Sequence, residues 1–100
     1  MKTLEEIKTI LKSNYHFLKT EYGVVYLGIF GSIVRSENSK KSDIDILIDF
    51  EDNKLPSFFS FLNIEDYLSK LLKTKRIDLV MKRNLRKRIG QQILSEVIEI

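Results

Sequence analysis

The chain has 100 residues, 43% of them hydrophobic and 31% charged, with a formal net charge of +3. That bounds it to one domain, residues 1–100, with one modest core, and the charge is too small to argue nucleic-acid binding by itself. The absence of cysteine and the single histidine, His16, exclude disulfides, thiolate metal sites and zinc sites built on several histidines.

Residues 3–19 carry Leu4, Ile7, Leu11 and Leu18 near one stripe, widened by Ile10 and Phe17, and so predict an amphipathic helix. Thr3 with Glu6 three residues on forms a capping box at its start. The segment holds Glu5 and Glu6 and no long apolar stretch, so no signal peptide is expected. No apolar run in the chain reaches the roughly 18 residues of a membrane span. After Gly23, residues 24–30 are a continuous apolar run rich in β-branched and aromatic side chains, which predicts a central strand covered on both faces. It stops at Gly31-Ser32, where a short helix is expected to start and fray by Ser36. Residues 36–42 are a polar loop.

Residues 43–50 alternate: Ile44, Ile46, Ile48 and Phe50 on one side, Asp43, Asp45, Leu47 and Asp49 on the other. A half-buried strand with an acidic start to its second face follows. Glu51 to Pro56 is a turn, and residues 57–73 return to helical spacing, with Pro56 and Ser57 at the helix start. Residues 76–81 alternate again, setting Ile77, Leu79 and Met81 against Arg76, Asp78 and Val80. A last helix is expected over 84–95, and 97–100 forms a short strand or a frayed end. The order predicts an α+β (mixed α/β) domain, a small mixed sheet flanked by helices.

The chemistry lies in the carboxylates. Asp43 and Asp45 are two apart on a strand, so both project from one face, their Cβ atoms roughly 6–7 Å apart. If the strand of Asp78 is a neighbour, three carboxylates converge and raise one another's pKa. A hard divalent cation removes that penalty, and an all-oxygen donor set suits magnesium. With two ions such a cluster can activate an attacking oxygen and hold phosphates in line. By itself, Asp-x-Asp on a strand does not distinguish a metal site from surface decoration. An EF-hand is excluded, because the segment lacks the glycine at the sixth loop position. Gly31 lets the backbone approach a ligand closely, Ser32 adds a hydroxyl, and a helix start offers N–H groups to an anion. No Gly-Lys-Ser/Thr follows, so this is not a Walker A loop.

Taken together, Gly31-Ser32, ten residues, Asp43-Ile44-Asp45 and the later Arg76-Ile77-Asp78-Leu79-Val80 resemble the minimal nucleotidyltransferases of the DNA polymerase β-like superfamily. The resemblance covers nearly the whole chain and implies that fold. It implies that Gly31, Ser32, Arg35 and Ser42 bind the nucleotide. Asp43, Asp45 and Asp78 would be catalytic and hold two magnesium ions, with Asp78 as base. Two departures stand out: Ser36 replaces the glycine that commonly follows the arginine, and Ile33 and Val34 are bulkier than usual there. Small members of this kind resemble prokaryotic antitoxins paired with a HEPN-type toxin. That implies a cytoplasmic enzyme transferring AMP from ATP to a tyrosine of the toxin. A binding antitoxin without catalysis, or nucleotide transfer to a small molecule or RNA, are the alternative readings.

Other features point less far. Lys82, Arg83, Arg86, Lys87 and Arg88 form a basic run, either a solvated helix face or a surface for phosphate, RNA or an acidic partner. His16 reads as a helix-face residue, Asp49 as surface or supporting. Tyr15, Tyr22, Tyr26 and Tyr67 read as packing residues. Phe58, Phe59 and Phe61 exceed one buried stripe and suggest a partner surface.

Overall fold

In the computed structural model, which describes residues 2–37 and 43–100, the chain opens with helix α1 (Leu4–Tyr22). Its capping box is formed: the Glu6 amide donates to Thr3 Oγ1 at 3.2 Å and the Thr3 amide to Glu6 Oε1 at 3.1 Å. The helix runs three residues past the expected end. Gly23 closes it in the left-handed region, φ 74°, its amide bonding to Leu18 and Lys19. Ile7, Leu11 and Leu18 are fully buried on the inner face of α1, each worth about 1.5–3 kcal/mol relative to exposure.

Four strands form one sheet in the order β3-β2-β1-β4. Strand β1 (Val24–Phe30) lies antiparallel to β2 (Ile44–Phe50) and to the two-residue β4 (Ile98–Glu99). Strand β3 (Ile77–Met81) runs parallel to β2 at the sheet edge, and helix α2 (Phe58–Leu71) makes the crossover a parallel pair requires. Ser57 caps α2, accepting from the Ser60 amide. Helices α1 and α2 share one face, where Ile29, Ile46, Ile48 and Phe50 meet Leu11, Leu18, Ile64 and Leu68.

The opposite face carries Gly28, Phe30, Asp45, Leu47, Asp49 and Asp78. Leu47 and Phe30 are buried there as well, so β2 is more than half-buried. Helix α3 (Lys87–Glu96) and the chain after it reach back over this face: a Cβ on Gly28 would strike Val97. Val25 is the exception in β1. The register slips between Val24 and Tyr26, and this bulge leaves Val25 45% exposed.

The segment after Ser32 is a tight run of turns in place of the expected short helix. The Val34 and Arg35 amides both donate to the Gly31 carbonyl, at 3.1 and 3.3 Å. Ser36 then takes φ 60°, which ends any helical path. A glycine there would adopt this angle freely, so the departure at Ser36 falls on the one residue of the turn that bears strain. Ile33 is accommodated by burial in the core. His16 is exposed, as expected for a helix-face residue. Among the described residues no helix is long and apolar enough to cross a membrane.

Candidate active site

The parallel register of β2 and β3 sets Asp45 directly beside Asp78, on the same face of the sheet. On its other side Asp45 faces Phe30, the last residue of β1. The chain then turns at Gly31, which has φ 84°, and a Cβ there would overlap Oδ2 of Asp45. Glycine is required at this point on both counts: the backbone lies against the carboxylate, and its angle is left-handed. Asp43 lies just before β2 and is exposed. Its charge, with that of Asp78, is felt at Asp45. Burial first, then Asp78 and Asp43, push the Asp45 carboxyl up to about 6. The charges of Asp78 and Asp43 thus bear on Asp45. Among the described residues no three acidic or histidine side chains stand as a ready-made metal cage.

The turn supplies the complementary donors. The Ser32 and Ile33 amides take no acceptor among the described residues. Arg35 stands between two carboxylates: its Nε donates to Glu37 at 3.0 Å and its Nη1 to both oxygens of Glu96 at 2.8 Å. Glu96 Oε1 also accepts the Gly31 amide at 3.0 Å. Arg35, then the Gly31 amide, hold the Glu96 carboxyl below the usual range against the opposing effect of burial. The sequence alone gives no sign of Glu96. It lies 61 residues from Arg35, and only the return of α3 over the sheet brings it there.

The structure thus brings together Asp45, Asp78, Gly31, Ser32 and Arg35. Ser42 lies outside the described residues. Asp49 shares the face of Asp45 but has a different partner. Arg83 holds it through Nε, at 2.8 Å, and through its backbone amide, at 3.0 Å. The basic run is therefore partly spent on structure, since Arg83 also bonds to Phe50 and Asp52 and Lys82 sits 4.2 Å above the Tyr26 ring. Tyr26 is thus a cation platform, whereas Tyr15, Tyr22 and Tyr67 pack against the core. Lys82, Arg83, Arg86 and Lys87 line a groove of about 390 Å³ at the start of α3. Phe58 and Phe59 are 71% and 75% exposed, while Phe61 packs against the core.

A family model described as polymerase beta, nucleotidyltransferase, matches residues 5–100. The chain belongs to this nucleotidyltransferase family. Over its whole length it is 45% identical to the protein adenylyltransferase MntA of Thermococcus cleftensis, covering 98% of that protein. Among solved structures, one described provisionally as a minimal nucleotidyltransferase superposes with a TM-score of 0.80 at 29% identity, over 99% of this chain and 97% of that one. A toxin–antitoxin complex with AMP-PNP matches with a TM-score of 0.68 at 21% identity, over 95% of this chain and 69% of that one; at that identity the likeness is one of fold. The nucleotidyltransferase fold is thus built here with its acidic strand pair and its glycine turn in contact.

Proposed function

We propose that this nucleotidyltransferase is a protein adenylyltransferase that acts as an antitoxin, moving AMP from ATP to a tyrosine hydroxyl of a HEPN-type toxin in the prokaryotic cytoplasm. The observation that carries the reading is the pairing of Asp45 with Asp78 against the Gly31 turn. Pure binding has no need of neighbouring carboxylates at a backbone turn whose Ser32 and Ile33 amides take no acceptor among the described residues. The acceptor is supported by the likeness to MntA and by a fold neighbour, with a TM-score of 0.58, described as a tri-AMPylated Shewanella oneidensis HEPN toxin with an MNT antitoxin.

The donor set fits a divalent cation. Asp43, Asp45 and Asp78 offer oxygen only, and burial together with the charges of Asp78 and Asp43 penalises ionised Asp45, a penalty that magnesium would offset. Bound there, magnesium would neutralise developing negative charge on the phosphates. The chain's own residues do the rest. The Ser32 hydroxyl and the Ser32 and Ile33 amides bind phosphate oxygens, and Arg35 adds a guanidinium N–H. Ser42 lies near enough in sequence to Asp43 to assist. Asp78, at the exposed sheet edge, takes the proton of the tyrosine hydroxyl. The tyrosine oxygen then bonds to the α-phosphorus, the bond from that phosphorus to the bridging oxygen breaks, and pyrophosphate leaves with the electron pair. Residues 1–100 act as one catalytic unit, with the toxin supplying the acceptor.

The test is an incubation with the cognate toxin, ATP and magnesium, followed by intact mass of both proteins. One or more AMP increments on the toxin, absent with the Asp43→Asn, Asp45→Asn double variant, are expected. A stable complex with no increment would overturn the transfer reading in favour of neutralisation by contact.

A further inference from the structure

Among the described residues, Glu96 is the one charged side chain near the C-terminal end that bonds to the phosphate turn. It is 17% exposed and makes three bonds, one from the Gly31 amide and two from Arg35 Nη1. Its position is fixed from behind. Val97 packs on Gly28, β4 pairs with β1, and the Ile100 amide bonds to the Leu27 carbonyl at 2.8 Å. The backbone next to Glu96 is therefore pinned by the sheet rather than by the turn.

The distribution of donors decides what this arrangement does. Glu96 takes the Gly31 amide and Nη1, Glu37 takes Nε, and Arg35 Nη2 is left with no acceptor among the described residues. The Ser32 and Ile33 amides are left as well. Glu96 thus occupies the donors on its own side and leaves the rest of the turn for an anion. A guanidinium held by two carboxylates loses most of its rotamer freedom before any ligand arrives. A loose Arg35, 41% exposed, would have to be ordered by the nucleotide itself.

We propose that Glu96 is a positioning residue of the nucleotide site: it fixes the Arg35 guanidinium and the left-handed Gly31 turn in their phosphate-binding arrangement, so that α3 and β4 form part of the site. This rests on the reading of the Gly31-Ser32 turn as the phosphate holder. Glu96 acts through Arg35 and the Gly31 amide and need not touch the nucleotide. Its effect belongs on nucleotide affinity and on KM for ATP, with a smaller effect on kcat once the site is filled.

The experiment titrates a fluorescent ATP analogue into the wild-type chain and into Glu96→Gln, Arg35→Ala and the double variant, with magnesium present, and records thermal unfolding of each. Glu96→Gln keeps the shape of the side chain but turns an amide N–H toward Arg35 or Gly31. About a tenfold loss of affinity is expected, with Tm close to wild type. In the Arg35→Ala background the same change should cost clearly less than in wild type, about threefold at most, because only the bond from the Gly31 amide is left to lose. Equal affinity for wild type and Glu96→Gln, or a full tenfold loss that persists without Arg35, would overturn the proposal. Should Glu96→Gln fail to fold, Arg35→Lys carries the test. It leaves Glu96 in place but lacks the planar fork that meets Glu96 and Glu37 from separate nitrogens, and unchanged affinity would overturn the proposal. Failure of the wild type to bind the analogue at all would instead sink the phosphate reading of the turn.

Discussion

Asp45 and Asp49 lie on the same strand and the same face, yet their surroundings are opposite. Asp49 is locked to Arg83 by a side-chain and a backbone donor. Asp45 is partly buried beside the charges of Asp78 and Asp43, which Arg35 opposes only in part, and a glycine backbone is pressed against it, its carboxyl raised to about 6. One aspartate serves the fold. The other is kept at the fold's expense, which is what the catalytic role proposed for it requires. The difference cannot be read from the strand itself, where both residues follow isoleucine and alternate alike. It is set by what the neighbouring segments bring: Arg83 at one end, Asp78 at the other.

The largest way to break the comparison is to neutralise each aspartate in turn. Asp45→Asn should reduce AMP transfer at least about 1000-fold, measured by mass increments on the toxin over time. The same variant should be more stable than wild type in magnesium-free buffer at pH 7, by about 1–2 kcal/mol once solvent screening is allowed for. Asp49→Asn should do the reverse. It loses the Arg83 clamp and lowers Tm by about 4–8 °C, while transfer per folded molecule stays within about threefold of wild type.

The stability difference between wild type and Asp45→Asn also has a pH signature. A carboxyl whose folded pKa is raised binds protons more tightly folded than unfolded, so its ionisation destabilises the fold. The penalty is absent below about 3.8, the ordinary value, and complete above about 6. Denaturant unfolding should show the two proteins converging at low pH and separating between those limits. A gap that widened as pH fell would contradict the charge cluster.

Magnesium should close the same gap from the other side. Binding to the folded state alone raises wild-type stability by about 1.4 kcal/mol at a tenfold excess over its dissociation constant. Asp45→Asn should show little of this shift in a thermal scan. The smallest expected effect is at the turn, where Ser36 holds φ 60°. Ser36→Gly relieves that angle against a gain in chain entropy, and should raise stability by no more than about 0.5–1 kcal/mol.

Much of the fold is legible in the sequence. The capping box at Thr3, the alternation of β2 and the Gly-Ser, ten residues, Asp-x-Asp spacing are local patterns, and local patterns survive folding. The turn after Ser32 was less legible, because one left-handed residue, Ser36, overrides a helix that the preceding residues permit. The bulge at Val25 was hidden by uniformly apolar neighbours, which give no period to break. Glu96 was invisible for a different reason. Its role comes from the return of α3 across the sheet, a contact between the two halves of the chain that no spacing encodes. Arg83 is the same case: within the basic run it looks like any surface cation until β2 places Asp49 beside it.

In the proposed reaction the Asp45–Asp78 pair serves attack on the α-phosphorus of ATP by a hydroxyl of a partner protein. The direct measurement is label transfer to the cognate toxin from ATP carrying radioactive phosphorus in either the α or the γ position, with magnesium present. Label on the toxin from α-labelled ATP alone, lost with Asp45→Asn, is the predicted result. Label from the γ position would make this a kinase-like transfer. Label from neither position, with the complex formed, would contradict the claim.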